Sequence, residues 1–182
     1  MIIILIGESG AGKSSIEKEL VNKYNYEKIV SYTTRPPRPD EKDGVDYKFL
    51  NDDEFDCLHE SDFFAETSDY NGWKYGTAWR DYEPHHNHKV VVLTPNGMRR
   101  IKFSQKIETI CFYISVPRRD RLIAILQRGD DIEEAYRRNL SDVGQFDGVE
   151  HEADYIFYND GYTKTVGEAV KEIVTNTCIL AR

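Results

Sequence analysis

The chain has 182 residues, 40% of them hydrophobic and 31% charged, which is typical of one folded domain and too apolar for a disordered chain. Its net charge of -8 argues against nucleic acid or an anionic membrane as a partner, so any phosphate that binds must be held by local cations. Three widely spaced cysteines without metal-ligand spacing argue against a disulfide framework or a zinc site, and they indicate the reducing cytoplasm.

The first predicted elements are a strand, a glycine loop and a helix. Residues 2–6 form a β-branched apolar run of the kind that is buried on both faces of a parallel sheet. The run is too short for a membrane span and no basic residue precedes it, so neither a transmembrane helix nor a signal peptide is predicted. Gly7 ends the strand, and from Ser14 onward apolar residues recur at helical spacing.

The next part of the chain predicts a small inserted α+β region. A second strand is predicted at 28–32, and a charged, proline-containing loop follows at 33–44. Three short strands then surround a polar helix; the strands are 47–50, 63–67 and 73–77, and the helix is 52–60.

Buried strands and helices alternate again after residue 88. The predicted strands are 89–93, 109–116 and 154–158, and the predicted helices are 96–106, 118–127 and 162–176. Residues 128–145 form a further helical segment that is charged and poor in apolar residues. This alternation predicts an α/β fold, with a parallel sheet that has helices on both faces.

The stretch from Gly7 to Ser14, GESGAGKS, fits the P-loop pattern of glycine, four residues, glycine, lysine and serine. Its glycines let backbone N–H groups turn inward around a phosphate, and the helix that follows adds the positive end of its dipole. Lys13 would reach the β and γ phosphates, and the Ser14 hydroxyl would bind magnesium. A glycine turn without a nucleotide is disfavoured because the motif lies between a buried strand and a helix. The sheet is therefore predicted to be of the P-loop NTPase type.

Further motifs resemble those of guanylate kinases. The segment 31–39, SYTTRPPRP, is the first of them. It is followed by Glu41, Gly44, Asp46-Tyr47, Phe49, Phe64-Ala65-Glu66, Tyr75-Gly76-Thr77, Gln127-Arg128-Gly129 and Asn159-Asp160. Because these motifs occur in order over nearly the whole chain, the resemblance implies ATP-dependent phosphorylation of GMP or dGMP.

The resemblance implies two nucleotide sites and a helical lid. The expected ATP-binding residues are Gly7, Ser9, Gly10, Ala11, Gly12, Lys13, Ser14, Ser15 and Asn159. The expected acceptor-binding residues are Ser31, Arg35, Arg38, Tyr47, Glu66, Tyr75 and Thr77. The expected catalytic residues are Lys13, Arg128 and Arg138, with ATP as co-substrate and Mg²⁺, bound through Ser14, as cofactor.

The chemistry of the acceptor residues agrees with these roles. The guanidinium groups of Arg35 and Arg38 can surround a phosphate dianion, and prolines between them stiffen the loop. Guanine presents two adjacent N–H donors to one carboxylate, which makes Glu66 the expected specificity residue. The competing interpretations are a solvated polyproline turn, or a recognition peptide for a partner, around Arg35 and an exposed carboxylate at Glu66.

Transfer itself requires positive charge and in-line positioning, and no catalytic base, because the acceptor phosphate already carries a charged oxygen. Arg128 and Arg138 match arginines that close over the phosphates, although Arg137 could replace Arg138 because the alignment contains a one-residue gap. Their segment has few large apolar residues, so a mobile lid is expected. The competing interpretation is an ordinary solvated helix with an ion pair from Glu134 to Arg138.

The sequence departs from the guanylate kinase pattern after the strand ending at 93. Thr94 and Asn96 stand where the family usually has an acidic pair, so base choice and metal affinity are less secure than the P-loop assignment. Gln145 likewise stands where a glutamate is common, in a lid that is shorter than usual. A metal site at His85, His86 and His88 is not expected, because these residues lie in a polar loop without an ordered ligand set.

These observations predict one domain over 1–182. Its core comprises 1–32, 89–127 and 148–182, its monophosphate-binding region is 33–88, and its lid is 128–147. The expected partners are small nucleotides, with no nucleic acid and no membrane, for a monomer or homodimer. Two alternatives stay open: a P-loop phosphotransferase for another nucleotide or a sugar phosphate, and a catalytically silent binding module.

Overall fold

The fold is taken from a computed structural model, which describes residues 1–38, 40–83, 86–104, 107–129 and 131–180, with the side chains of 179 and 180 left out. The elements in chain order are β1 (Ile2–Ile6), α1 (Lys13–Tyr24), β2 (Glu27–Lys28), β3 (Tyr32–Thr33), β4 (Lys48–Phe49), α2 (Asp52–Glu60), β5 (Phe64–Tyr70), β6 (Trp73–Ala78), β7 (Lys89–Val92), α3 (Pro95–Phe103), β8 (Thr109–Ser115), α4 (Arg118–Gln127), α5 (Ile132–Asp142), β9 (Tyr155–Tyr158) and α6 (Val166–Leu180).

The larger sheet contains five strands in the order β2-β7-β1-β8-β9. Every pair of neighbours in it is parallel. All residues of β1 are buried, because Ile3 and Leu5 pack with α1 and α6 on one face while Ile4 and Ile6 pack with α3 on the other. The prediction of a parallel sheet with helices on both faces is confirmed, and it follows from the uninterrupted apolar pattern of a strand with two buried faces.

The smaller sheet contains four strands in the order β4-β3-β6-β5 and forms the inserted α+β region. Its longest pairing is the antiparallel hairpin of β5 and β6, which turns at Asn71 and Gly72. Helix α2 covers the sheet through Phe55, whose ring stacks on Phe64 with the two centroids 4.7 Å apart. A capping box between Asn51 and Glu54 begins this helix at the residue that the sequence predicts.

The predicted strand 28–32 is two separate strands in the structure. Strand β2 pairs with β7 in the larger sheet, whereas β3 pairs with β4 and β6 in the smaller one. The backbone of Ile29 still bonds to Val90, and that of Ser31 already bonds to Lys48, so the chain changes sheets within three residues. One apolar run serves two sheets here, and its pattern does not indicate which partner strand each residue meets.

Several helices begin or end at other residues than predicted. Thr94 caps α3 with Pro95 in its first turn, and α6 begins only at 166, after a 3-10 turn at Asp160–Tyr162. Helix α5 covers only part of the predicted segment 128–145, since Asp131 caps it by accepting two backbone N–H bonds. Residues 105 and 106 of the predicted helix 96–106, and residue 130 of the predicted lid, lie outside the described residues. Within the described ranges, no helix is both long and apolar enough to cross a bilayer.

We expect Ile4→Ala to destabilise the protein by about 2–5 kcal/mol, because Ile4 is fully buried and its truncation leaves a cavity in the central strand. Urea denaturation with an unchanged m-value would measure this loss. Ile132→Ala is the matched control, since Ile132 is 71% exposed and its replacement should change the free energy of unfolding by no more than about 0.5 kcal/mol. Equal effects of the two substitutions would contradict the assignment of β1 to the core.

Candidate active site

The glycine loop lies between β1 and α1, at the carboxyl end of the central strand. A Cβ atom at Gly7 would lie 2.6 Å from the Ile114 carbonyl oxygen, and one at Gly10 would lie 2.7 Å from that of Arg121. Both glycines have positive φ, 152° and 85°. The loop therefore packs directly against the backbone of the neighbouring strand and helix, which requires glycine at these two positions.

Lys13 is the first residue of α1, and its ammonium folds back over the loop. Its Nζ donates hydrogen bonds to the carbonyl oxygens of Gly7 at 2.5 Å and Glu8 at 3.0 Å. Burial lowers the pKa of the Lys13 ammonium from 10.5 to about 8. The ammonium is thus positioned above the loop that the sequence predicts to hold phosphates.

Two cavities adjoin at this loop. The first lies between the loop and the smaller sheet, and the second lies between the loop, β9 and α6. The residues that line both are Gly10, Lys13, Ser14 and Arg128. The first cavity is also lined by the predicted residues Gly7, Ser9, Ser31, Arg35, Arg38, Tyr47, Glu66, Tyr75 and Arg138. The second is also lined by the predicted residues Ala11, Gly12, Ser15 and Asn159. The structure therefore brings nearly all predicted site residues to the walls of two adjoining cavities.

The two arginines of the proline loop line the first cavity and share the carboxylate of Glu41. Arg35 is buried and donates from Nη2 to both oxygens of Glu41, at 2.8 and 2.7 Å. Arg38 donates its backbone N–H to Glu41 at 2.9 Å, and its Nη1 lies 3.3 Å from the same carboxylate. The guanidinium of Arg35 also lies over the Tyr47 ring, 5.2 Å from the centroid. The loop is thus braced by Glu41, a residue of the motif to which the sequence assigns no role.

Glu66 is buried at 2% exposure at the far end of the first cavity. Burial raises the pKa of its carboxyl from 4.5 to about 7. Thr77 Oγ1 donates to Glu66 Oε1 at 2.8 Å, and the Tyr82 hydroxyl lies 2.8 Å from the same Thr77 oxygen. Thr77 is fully buried behind the carboxylate and does not itself line the cavity. A Cβ atom at position 97 would lie 2.5 Å from Glu66 Oε2, so Gly97 makes room for this carboxylate.

The end of β7 brings uncharged side chains to the first cavity. Val92 and Thr94 line it, whereas Asn96 is exposed and accepts a hydrogen bond from Arg99 at 3.0 Å. Asn96 is therefore outside the cavity, and Thr94 is committed as the cap of α3 by accepting from the Gly97 N–H. Among the described lining residues, the carboxylates of this cavity are Glu66 and Asp142.

Helix α5 carries both arginines of the predicted lid, and of the two it is Arg138 that lines the first cavity. Arg138 is 8% exposed and lines the first cavity, with its Nε donating to Glu134 at 2.6 Å. Arg137 also bonds to Glu134, but its guanidinium lies over the Trp73 ring, 4.5 Å from the centroid. Arg138 therefore forms the ion pair with Glu134 and lines the first cavity at the same time.

The second cavity has a mostly apolar floor made by Ile114, Phe157 and Ala169. Asn159 borders it, but both ends of its amide bond to the backbone of Lys164, at 3.0 and 2.9 Å. The Tyr162 hydroxyl, which the sequence does not single out, donates to the Gly10 carbonyl at 2.5 Å. The loop 159–165 is thereby fastened to the P-loop.

Two lining residues of the first cavity have no signal in the sequence. Tyr70 is at the end of β5 and Asp142 is at the end of α5, and a hydrogen bond of 2.6 Å joins them. Because they are 72 positions apart, only the tertiary structure brings them together.

A resident metal cage is not present in the described part of the chain, where no group of three or more His, Cys, Asp or Glu side chains could hold an ion. His88 lies beside Tyr26, with ring centroids 5.5 Å apart. His85 lies outside the described residues.

A parallel sheet, a P-loop at the end of its central strand and two adjoining cavities with cationic walls define an α/β P-loop phosphotransferase. The family model for guanylate kinase matches residues 1–177. A guanylate kinase of Rickettsia bellii is 34% identical over 171 residues, which cover 91% of this chain and 89% of that protein. One of Geobacter sulfurreducens is 30% identical over 187 residues, covering 100% of this chain and 92% of that protein. The chain belongs to the guanylate kinase family.

The fold agrees with this membership. A crystal structure of guanylate kinase from Anaplasma phagocytophilum superposes with a TM-score of 0.75 over 98% of this chain and 85% of that one, at 20% sequence identity. At that identity, the likeness supports the architecture and not the details of the site.

We expect Gly10→Ala to be much more harmful than Gly44→Ala. Both glycines have positive φ, 85° and 74°, but a Cβ at Gly10 would collide with the Arg121 carbonyl, whereas one at Gly44 would meet no described atom within 4 Å. Gly44→Ala should cost about 1–2 kcal/mol of backbone strain. Gly10→Ala should cost a further 1–3 kcal/mol or more from overpacking.

Urea denaturation measures the stability difference between these two variants, and titration with ATP measures nucleotide binding. ATP affinity should fall only in Gly10→Ala. If both variants had the same stability, the close approach of the loop to α4 would be disproved.

Proposed function

We propose that this protein transfers the terminal phosphoryl group of ATP to GMP, giving ADP and GDP, and that dGMP also serves as an acceptor. The observation that carries the proposal is that two separate cavities share Lys13, Ser14 and Arg128 as a common wall. A donor nucleotide in the second cavity and an acceptor in the first would meet with their phosphates at these groups. Transfer needs this juxtaposition of two phosphates in a cationic surrounding.

The acceptor phosphate is assigned to Arg35, Arg38, Tyr47 and Tyr75. Two guanidinium groups and two phenol hydroxyls can surround the oxygens of a dianion, and the ion pair with Glu41 holds Arg35 in place beforehand. The Glu41 carboxylate also reduces the mutual repulsion of the two arginines. This arrangement supports a monophosphate ligand in a protein whose net charge is negative.

The guanine base is assigned to Glu66, with Ser31 on the cavity wall and Thr77 as the residue that orients the carboxylate. An ionised carboxylate accepts the two adjacent N–H groups of guanine, and adenine offers no such pair. Because Thr94 is uncharged and Asn96 lies outside the cavity, Glu66 alone would supply the negative charge for base selection.

The donor nucleotide is assigned to the P-loop, with its base over the apolar floor of the second cavity beside Asn159. Magnesium fits the chemistry of this site when it arrives with ATP, because the Ser14 hydroxyl is a suitable oxygen ligand and Mg²⁺ keeps much of its water and phosphate coordination. The ion would neutralise charge on the β and γ phosphates.

The protein's own contribution to transfer is electrostatic. The acceptor oxygen is already ionised, so no side chain need remove a proton. Lys13, Arg128 and Arg138 would stabilise the charge that develops on the migrating phosphoryl group. Helix α5 would act as the lid. The core and the monophosphate-binding region would have the bounds that the sequence predicts.

The three cysteines are free thiols, which supports a reducing compartment. The proposed oligomeric state is a monomer or a homodimer.

The test of function is a coupled assay with ATP, magnesium and a panel of nucleoside monophosphates and sugar phosphates. Turnover confined to GMP and dGMP supports the proposal. Turnover with another acceptor would identify a related phosphotransferase, and binding without turnover would identify a silent module.

We expect Glu66→Gln to lower kcat/KM for GMP on the order of a hundredfold, because one of two charge-assisted hydrogen bonds is replaced by a mismatched amide N–H. The ratio of GMP to AMP turnover measures this loss of selectivity. Glu60→Gln removes an exposed glutamate in the same region of the chain and should leave the ratio unchanged. Undiminished selectivity in Glu66→Gln would remove Glu66 from the base site.

The raised pKa of Glu66 predicts a pH dependence of acceptor binding. With a pKa of about 7 in the empty site, the carboxyl is partly protonated near neutral pH, whereas guanine binding favours the ionised form. GMP binding should therefore release protons at pH values around this pKa, and affinity should rise as the pH increases through about 7 and level off only above it, where the carboxyl is fully ionised. Calorimetry in two buffers of different ionisation enthalpy measures this release, and Glu66→Gln should lack the contribution, leaving only that of the GMP phosphate.

A further inference from the structure

The lid helix α5 contacts the β5–β6 hairpin across the mouth of the first cavity. The lid–hairpin contact consists of Tyr70, Asn71 and Trp73 on the hairpin and Arg137, Ser141 and Asp142 on α5. The Tyr70 hydroxyl donates to Asp142 Oδ1 at 2.6 Å, and Ser141 Oγ donates to Asn71 Oδ1 at 3.1 Å. Arg137 lies over the Trp73 ring at 4.5 Å. The lid is thus joined directly to the region assigned to the acceptor.

Asp142 also joins both of these parts to the P-loop. Its Oδ2 accepts the Ser9 backbone N–H at 3.0 Å and lies 3.3 Å from Arg121 Nη1. The Asp142 side chain is 4% exposed, and the Tyr70 hydroxyl also lies 2.8 Å from Ser9 Oγ. A buried carboxylate is stable only while its hydrogen-bond donors stay in place. Asp142 therefore joins its own helix α5 to β5, to the P-loop and to α4.

The face of α5 that points inward is mostly polar. Its buried residues are Ala135, Arg138, Asn139 and Asp142, whereas its large apolar residues Ile132, Tyr136 and Leu140 are exposed. Hydrophobic burial therefore contributes little to holding this helix, and hydrogen bonds must supply much of its attachment. Among the described residues, Tyr70 and Asn71 on the hairpin bond to α5 across the cavity entrance.

We propose that Tyr70 and Asp142 are positioning residues for phosphoryl transfer, which fix the lid against the acceptor region and the P-loop so that Arg138 stands at the transferring group. Asp142 lies four residues after Arg138, one helical turn away on the same side of α5, and both line the first cavity. Fixing the carboxylate therefore fixes the turn that carries the arginine. The part of the proposal that concerns catalysis rests on the proposed function, whereas the structural contact does not.

The kinetic test uses Tyr70→Phe, Asp142→Asn and the double variant in the ATP and GMP assay. Each single substitution should lower kcat about tenfold with less than about a twofold change in KM for ATP, because the contact acts on the closed complex. The double variant should be no slower than the slower single variant, since both substitutions remove the same hydrogen bond. Additive losses, or wild-type kcat in both single variants, would overturn the proposal.

Two matched controls separate the contact from general effects. Asp69→Asn removes the exposed carboxylate next to Tyr70 on β5, and Tyr136→Phe removes an exposed hydroxyl from α5. Both should keep the wild-type kcat. If Asp69→Asn lowered kcat as much as Asp142→Asn, the loss of negative charge, and not the loss of the hydrogen bond, would explain the lower kcat. That result would overturn the assignment.

Hydrogen exchange of the nucleotide-free protein tests the contact without relying on activity. In Tyr70→Phe, which changes one hydroxyl and should fold normally, amides of 135–142 should exchange faster than in the wild type, whereas those of α1 should not change. Unchanged exchange in α5 would overturn the proposal. If the wild-type protein phosphorylated no acceptor, the proposed function would fail, and the exchange comparison alone would decide whether the contact holds the lid.

Discussion

Two nucleotides can exchange a phosphoryl group only when their phosphates, which repel each other, are held at bonding distance, and this constraint accounts for most of the structure. The chain carries a net charge of -8, so its overall field opposes such binding. Under the proposed function, attraction would come from local groups, which are the P-loop amides, Lys13, and the arginines at 35, 38, 128 and 138. The strand β1, buried on both faces, fixes the loop, and the smaller sheet and α5 bring the remaining cations to it from the other side of the cavity.

Concentrating cations in a partly buried space requires compensating carboxylates, and the structure uses each for a different purpose. Glu41 accepts hydrogen bonds from the Arg35 guanidinium and from the Arg38 backbone, and it thereby fixes the loop that carries the two arginines assigned to the acceptor phosphate. Glu66 accepts a hydrogen bond from Thr77, and burial raises the pKa of its carboxyl to about 7, which suits it to the proposed role in binding the base. Asp142 is satisfied by three donors from three segments, which suits it for holding parts together. The three carboxylates differ in role because they differ in burial and in the donors that surround them, and not because one is aspartate and the others are glutamate.

The residues after β7, where the guanylate kinase pattern leads us to expect an acidic pair, carry no charge next to the first cavity. Val92 and Thr94 form an uncharged wall there, and Thr94 is used as a helix cap. Helix α3 begins at Pro95, and Asn96 bonds to Arg99 at the surface. Under the proposed function, base selection would therefore depend on the carboxylate of Glu66, which has room because position 97 is a glycine.

The sequence by itself determined the P-loop, the buried strands and the order of helices and strands, because these follow from local patterns: glycine spacing, apolar runs and capping residues such as Asn51 and Glu54. Nearly all of the site residues predicted from the P-loop and from the motifs around Arg35, Glu66 and Arg128 line one of the two cavities. Only the tertiary structure decided that 28–32 divides between two sheets, that Arg138 and not Arg137 reaches the cavity, and that Tyr70 meets Asp142. Those outcomes depend on partners that are distant along the chain, as in the bond between Ser9 and Asp142, which are 133 positions apart. Periodicity and propensity describe a residue's neighbours along the chain, and they carry no information about which distant side chain completes a hydrogen bond.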